Sequence, residues 1–314
     1  MKIDIDYVVP MVFPDDLKWK HDYLTATGRF YDDHSAIASP RFRSWGTEEL
    51  LIRCIRKNMP WIRTIYIILA RQSQMQSWIR DYLAGKPQGA LPQVKMVLHK
   101  DFMPKETLPT FNSRAIEMYL HRIPGLSEYF IYANDDMFPV SPLCADDFFR
   151  SRTNDDGTII LPCQQHKEKP YPSQPNNFHR ACLCGLNFVA EEFGLRFDKT
   201  WLHGGHSVTP IVKKTCLHLW GRGGKNIERS VTPFRTICNY NQYIYAWYQH
   251  LSGQYINHAP SRRYVSTKNT INDILTAIRK TDGVLCINDN EAVSNVSSYA
   301  SAVREELLKR IEKL

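Results

Sequence analysis

Residues 64–70, Thr-Ile-Tyr-Ile-Ile-Leu-Ala, form a near-continuous β-branched and apolar run. A strand apolar on both faces must be covered on both sides, which is the position of a central strand in a helix-flanked sheet. The flanking segments supply the cover. Residues 47–58 place Leu50, Leu51, Cys54, Ile55 and Met59 at helical spacing, with Thr47 as cap, Glu48 and Glu49 in the first turn and Pro60 as the stop. Residues 3–9 read as a first strand ended by Pro10 and Pro14, and residues 15–40 as a loop with a short helix. Residues 74–83 read as a helix, 93–98 as a strand, 113–121 as a helix and 129–132 as a short strand. Strands and helices alternating at this interval predict βαβ units on a mostly parallel sheet, an α/β Rossmann-like fold.

The second half is less regular. Residues 151–180 are polar and proline-rich and read as an excursion or lid. A strand is expected at 181–190, helices at 208–220, 238–251 and 270–280, a strand at 284–287 and an amphipathic helix at 297–314. No linker or repeat divides the chain. One composite domain is expected over 1–314, with a Rossmann-like half at 1–150, the excursion at 151–200 and a second half at 201–314 that completes the active site.

The 314 residues carry a net charge of +8, spread along the chain. That balance suits a partner rich in phosphate. No apolar run approaches the roughly 20 residues of a membrane span. Met1–Asp6 is charged and strand-like, unlike a leader peptide, so the eight cysteines are expected reduced and the protein cytoplasmic. Cys182-x-Cys184 lacks the C-x2-C spacing of a zinc hairpin and reads as scattered core thiols. There is no P-loop, no dinucleotide fingerprint and no G-x-S-x-G elbow.

The chemistry concentrates at strand ends, where open α/β sheets bind ligands. Tyr129–Tyr132 runs straight into Asn134-Asp135-Asp136, and adjacent carboxylates there can hold Mg2+ or Mn2+ and, through it, phosphate. Asn288-Asp289-Asn290 repeats the pattern after another apolar run. Arg114, Arg122 and Arg235 are candidate phosphate ligands, because a guanidinium matches phosphate oxygens in a bidentate way. His203 and His206 flank a Gly-Gly pair and are candidate general bases.

Four ordered blocks resemble the Stealth family of hexose-1-phosphate transferases. They are Ile5–Val12; Arg41–Thr47 with Arg53–Arg63, Leu108–Ser113 and Phe130–Asp136; His206–Lys213 followed by Phe234-Arg235; and Cys286-Ile287-Asn288-Asp289-Asn290. Met11–Pro14 and Glu48–Leu50 depart from the family's usual Trp-Val-Asp/Asn-Gly and Leu-Arg-Tyr. The resemblance implies a GT-A-like fold and transfer of sugar-1-phosphate from a nucleotide-sugar donor, a UDP-hexosamine or UDP-hexose, to an oligosaccharide or polysaccharide hydroxyl with release of UMP. It implies Asp135, Asp136 and Asp289 at the metal, His206 as base with Asp136, and Arg235 as phosphate clamp. Asn112, Ser113, Arg114 and Glu117 then line the donor site, and Arg122, Asn134 and His203 extend the substrate set. No nucleic-acid partner is expected, peripheral contact with the inner membrane is, and no oligomeric state follows. The rival readings are a metal-dependent glycosyltransferase that releases UDP and a non-enzymatic polyanion-binding module.

Overall fold

A computed structural model describes residues 3–27, 42–85, 92–155, 157–196, 201–203, 206, 208–289 and 296–313. In chain order the first half holds β1 (Ile5–Pro10), α1 (Leu17–Thr27), α2 (Glu48–Asn58), β2 (Thr64–Leu69), α3 (Ser77–Leu83), β3 (Gln93–Leu98), α4 (Ser113–Tyr119) and β4 (Tyr129–Tyr132). There follow β5 (Met137–Pro139), β6 (Phe149–Asn154), β7 (Gly157–Gln164), β8 (Lys167–Lys169), α5 (Asn177–Phe193), β9 (Trp201–His203), β10 (Thr209–Val212) and α6 (Lys213–Ser230). The chain closes with α7 (Tyr243–Leu251), β11 (Ile256–Asn257), β12 (Arg262–Ser266), α8 (Ile271–Lys280), β13 (Val284–Asn288) and α9 (Val296–Lys313).

The main sheet has the order β10-β4-β1-β2-β3. Its β4, β1, β2 and β3 are parallel and β10 runs antiparallel to β4 at the edge. Every residue of β2 is buried, as its unbroken apolar run requires. One core face packs α2, α8 and α9 against this sheet through Leu51, Ile55, Ile274, Ile278, Val303 and Leu307. The other packs α4, α5 and α7 through Ile116, Leu186, Val189, Ile244 and Trp247. This is the helix-covered, mostly parallel α/β arrangement expected. Buried Asp6 ties it at the base, taking two bonds from the Arg63 guanidinium (2.9 and 2.6 Å) and one from the Ser127 amide (2.7 Å).

A second sheet, β12-β13-β5, stands beside the first. The link between them is Asn134-Asp135-Asp136, which leaves β4 of one sheet and enters β5 of the other. The amide of Ile287 in β13 donates to the Asp136 carbonyl at 2.9 Å, so the acidic turn is pinned on its far side as well. Among the described residues no helix is long and apolar enough to cross a membrane.

Three expectations for the second half need correction. Residues 181–190 belong to helix α5, not to a strand. Ala181, Cys182, Gly185, Leu186, Phe188 and Val189 are buried at helical spacing, and Asn176 caps the start by accepting from the His179 amide at 2.9 Å. The expected helix at 208–220 splits into β10 and α6. Pro210 is tolerated because β10 is an edge strand. The helix read from residue 238 begins only at Tyr243. The stretch read as a polar excursion opens with the β6–β7 hairpin, polar because the tip of each strand is exposed. Asn290 and Arg41, parts of the quoted blocks, lie outside the described residues.

Candidate functional site

The carboxyl ends of β1 and β4 open into a cavity of about 1530 Å3. Asn112, Ser113, Arg114, Glu117, Asn134, Asp135, Asp136, His206, Arg235 and Asp289 all line it. These residues come from the β4–β5 turn, the start of α4, the 231–242 loop, the residues before β10 and the end of β13. Parallel strands gather such ends on one edge, which is how positions over 150 apart in sequence meet.

Asp136 is the centre of a small polar cluster. Its Oδ2 accepts from Asn288 Nδ2 (3.0 Å) and the Cys286 thiol (3.4 Å) and lies 3.4 Å from His206 Nε2. Burial alone would raise the Asp136 carboxyl, but these donors, His206 foremost, hold it below the usual range. Burial would likewise lower His206, and the facing Asp136 carboxylate holds it above its ordinary value. Asp135 has no such company. Burial, then Asp136 and Glu48, push its carboxyl up to about 8. The Cys286 thiol is pushed well up by burial and then by Asp136, so it stays protonated.

Asp136 Oδ1 is buried and has no hydrogen-bond partner among the described residues. Such an atom calls for a ligand, and a divalent cation fits the corner. Asp136, His206 and Cys286 offer ligand atoms that all lie within 4.8 Å of one another. Carboxylate oxygens suit Mg2+ or Mn2+, whereas an imidazole and a thiol suit a softer ion.

Two guanidiniums without a carboxylate partner in any described ion pair line the same cavity. Arg235 Nη2 donates to Ser113 Oγ at 2.6 Å, and buried Arg114 donates from Nη1 to the Thr236 carbonyl at 3.0 Å. Burial, then the neighbouring Arg235, lowers the Arg114 pKa. Two cations held this close are stabilised by an anion between them. The loop that carries Arg235 is anchored from beneath by Asn112. Its Oδ1 caps α4 by accepting from the Arg114 amide (3.1 Å), while its Nδ2 donates to the Thr232 carbonyl (3.0 Å) and to Asn239 Oδ1 (3.1 Å). Glu117 closes the floor, accepting from the Tyr132 hydroxyl (3.0 Å) and the Gln242 amide (2.9 Å). Burial raises its carboxyl.

Two expected site residues stand apart from the cluster. Asp289 is engaged through both oxygens by Arg43 (2.7 Å each) and by Trp45 Nε1 (2.8 Å), so its carboxylate is satisfied without a metal. Arg122 lies over the rings of Tyr119 (4.9 Å) and Trp220 (4.6 Å), exposed on the outside, and is not a phosphate ligand of this cavity. His203 sits in β9, paired in register with Lys167 of β8. Reading the sequence also missed partners. Asn239 and Gln242 carry no local motif, and Arg43 and Tyr132 lie in the quoted blocks without a role assigned there, because the role of each comes from a contact across the fold.

The Stealth protein conserved region 2 matches residues 41–156. The capsular polysaccharide phosphotransferase LcbA of Aeromonas hydrophila is 28% identical over 310 residues, covering 92% of this chain and 80% of that protein. The receptor polysaccharide phosphotransferase WefC of Streptococcus gordonii is 27% identical, covering 93% of this chain and 92% of its own length. Among solved structures, the galactosyltransferase LgtC in complex with donor and acceptor sugar analogues aligns over 98% of this chain and 96% of its own, at 11% identity and a TM-score of 0.46.

Proposed function

We propose that this chain, which carries the Stealth conserved region 2 at residues 41–156 and is similar over most of its length to polysaccharide phosphotransferases, transfers a sugar-1-phosphate from a nucleotide-diphospho-sugar to a glycan hydroxyl. The observation that carries the reading is the pairing of Asp136 and His206 in the same cavity as Arg235 and Arg114. It gathers a proton acceptor and an anion clamp in one place.

The donor is a UDP-hexosamine or UDP-hexose, its diphosphate lying against the two guanidiniums. We assign the N–H of His206 to Nε2, which faces the Asp136 carboxylate, so that the proton-accepting atom is Nδ1. The acceptor hydroxyl attacks the β-phosphorus, its proton passes to His206, and the bond from that phosphorus to the bridging oxygen breaks. UMP leaves and the glycan gains a phosphodiester. Such a displacement depends on positioning and charge neutralisation more than on covalent help. Arg235, steadied by Ser113, neutralises the phosphoryl oxygens, and Asp136 keeps the imidazole oriented. Asp135 and Asp136 are the residues that would hold Mg2+ or Mn2+, which when bound would supply further neutralisation of the diphosphate. The net charge of +8 supports peripheral attachment to an anionic membrane face, which vesicle flotation tests.

Incubation with UDP-sugars, Mg2+ or Mn2+ and oligosaccharide acceptors, with UMP resolved from UDP, tests the reaction. Metal-dependent UMP that disappears in Asp136→Ala is expected. UDP in place of UMP would move the enzyme to the glycosyltransferases.

A further inference from the structure

Seven large apolar side chains are exposed among the described residues, and three of them line the same cavity: Phe178, Ile237 and Tyr264, at 40%, 43% and 49% exposure. They come from the first turn of α5, the 231–242 loop and β12. The wall of this cavity mixes charged groups with apolar ones such as Met11, Phe111 and Phe234. A diphosphate answers to the charged groups, so exposed apolar side chains at the rim serve another part of a ligand. Exposed aromatic surface at a binding cleft is instead a place where another apolar face docks. A pyranose ring has such a face in its axial C–H bonds, and it stacks on an aromatic ring while its hydroxyls stay hydrogen-bonded.

Tyr264 has the further property of position. Its ring meets His206 edge to face, with centroids 5.9 Å apart at 83°. In the strand register it stands beside Cys286, whose thiol touches Asp136. In an in-line displacement the attacking and leaving oxygens lie on opposite sides of phosphorus. The base touches the attacking side, so whatever ring adjoins His206 serves the acceptor and not the nucleotide. Resting on the transferase reading above, we infer that Tyr264 is the platform on which a neutral pyranose of the acceptor glycan stacks, with Phe178 and Ile237 completing the apolar rim. The platform places one sugar hydroxyl beside the imidazole and sets the acceptor's KM without touching donor affinity.

The test is saturation-transfer NMR of the full chain with UDP and Mg2+ present. The probes are methyl β-glucopyranoside, methyl β-galactopyranoside and methyl N-acetyl-β-glucosaminide, beside calorimetric titration with UDP alone. At least one glycoside is expected to receive saturation on its ring C–H face. Its affinity is expected to fall about tenfold in Tyr264→Ala and to stay within about twofold in Tyr264→Phe, with UDP affinity equal in all three proteins. Unchanged glycoside affinity in Tyr264→Ala, transfer to none of the three probes, or a loss confined to UDP overturns the platform. Failure of the unaltered chain to bind UDP would strike the donor reading instead, and the glycoside arm repeated without nucleotide then decides the platform alone.

Discussion

Replacing Asn112 by alanine separates what holds the Arg235 loop from what it does. Asn112 is wholly buried, and its side-chain amide has four partners: the Arg114 amide at the head of α4, the Thr232 carbonyl, Asn239 Oδ1 and the Phe234 carbonyl, which also accepts from the Thr232 hydroxyl. Loss of an N-cap costs about 1 kcal/mol. The Thr232 carbonyl then loses its donor in a part-buried setting, at a cost of about 1–2 kcal/mol. Asn239 Oδ1 keeps the Thr236 amide at 2.5 Å, so its loss is smaller. The sum is about 3 kcal/mol. Unfolding entropy near 2.1 cal/mol/K per residue over 314 residues turns that into a fall in Tm of about 4–5 °C. Thermal unfolding by circular dichroism reads it directly. Ser113→Ala provides the contrast. It leaves the cap intact and removes only the tether to Arg235, so UMP release should fall with Tm within about 1 °C of the parent chain. An Asn112→Ala Tm indistinguishable from the parent would refute the strut, and with it the account of how Arg235 is positioned.

Burial lowers the pKa of His99 and of His121 to about 4 in the folded chain, against about 6.5 unfolded. Between those values the unfolded state binds more protons, so the stabilisation is whole above pH 6.5 and is lost as pH falls toward 4. Linkage gives about 2 kcal/mol per group at pH 5, and urea titrations at pH 7.5 and 5 should show a shallower acid loss in His99→Gln. Asp289→Asn strips the charge that Arg43 grips and should cost about 2 kcal/mol while leaving Mn2+ affinity unchanged by calorimetry; Asp136→Asn should do the reverse. Lost Mn2+ affinity in Asp289→Asn would return that residue to the metal. Gly283 has φ +114° at the head of β13, and an added Cβ would overlap the Ser261 carbonyl. Gly283→Ala should therefore lower stability by about 3 kcal/mol or more, visible as a Tm drop or insoluble expression; a normal Tm would show that the β12–β13 approach yields.

The first half of the fold was legible because its rules are local. The apolar run at 64–69 has to be a covered strand, and Leu50, Leu51, Cys54 and Ile55 repeat with the helical period of α2. A carboxylate pair beginning three residues past Tyr132 sits at a strand end wherever the strand lies, so Asp135 and Asp136 could be named from sequence. The second half was misread where apolar content was taken without its period, as at 181–190 in α5, or where one run serves two elements, as at 208–220.

What only the tertiary structure decided is the division of labour among residues of one type. Asp136 and Asp289 each follow an apolar run and look alike in sequence. Distant contacts separate them: Arg43 and Trp45 take both oxygens of Asp289, whereas Asp136 keeps one buried oxygen without a partner. Arg122 and Arg235 likewise differ only in whether the surrounding chain offers aromatic faces or an open cavity. Secondary structure is fixed by a residue's near neighbours in sequence, and a side chain's charge and hydrogen bonding by its neighbours in space.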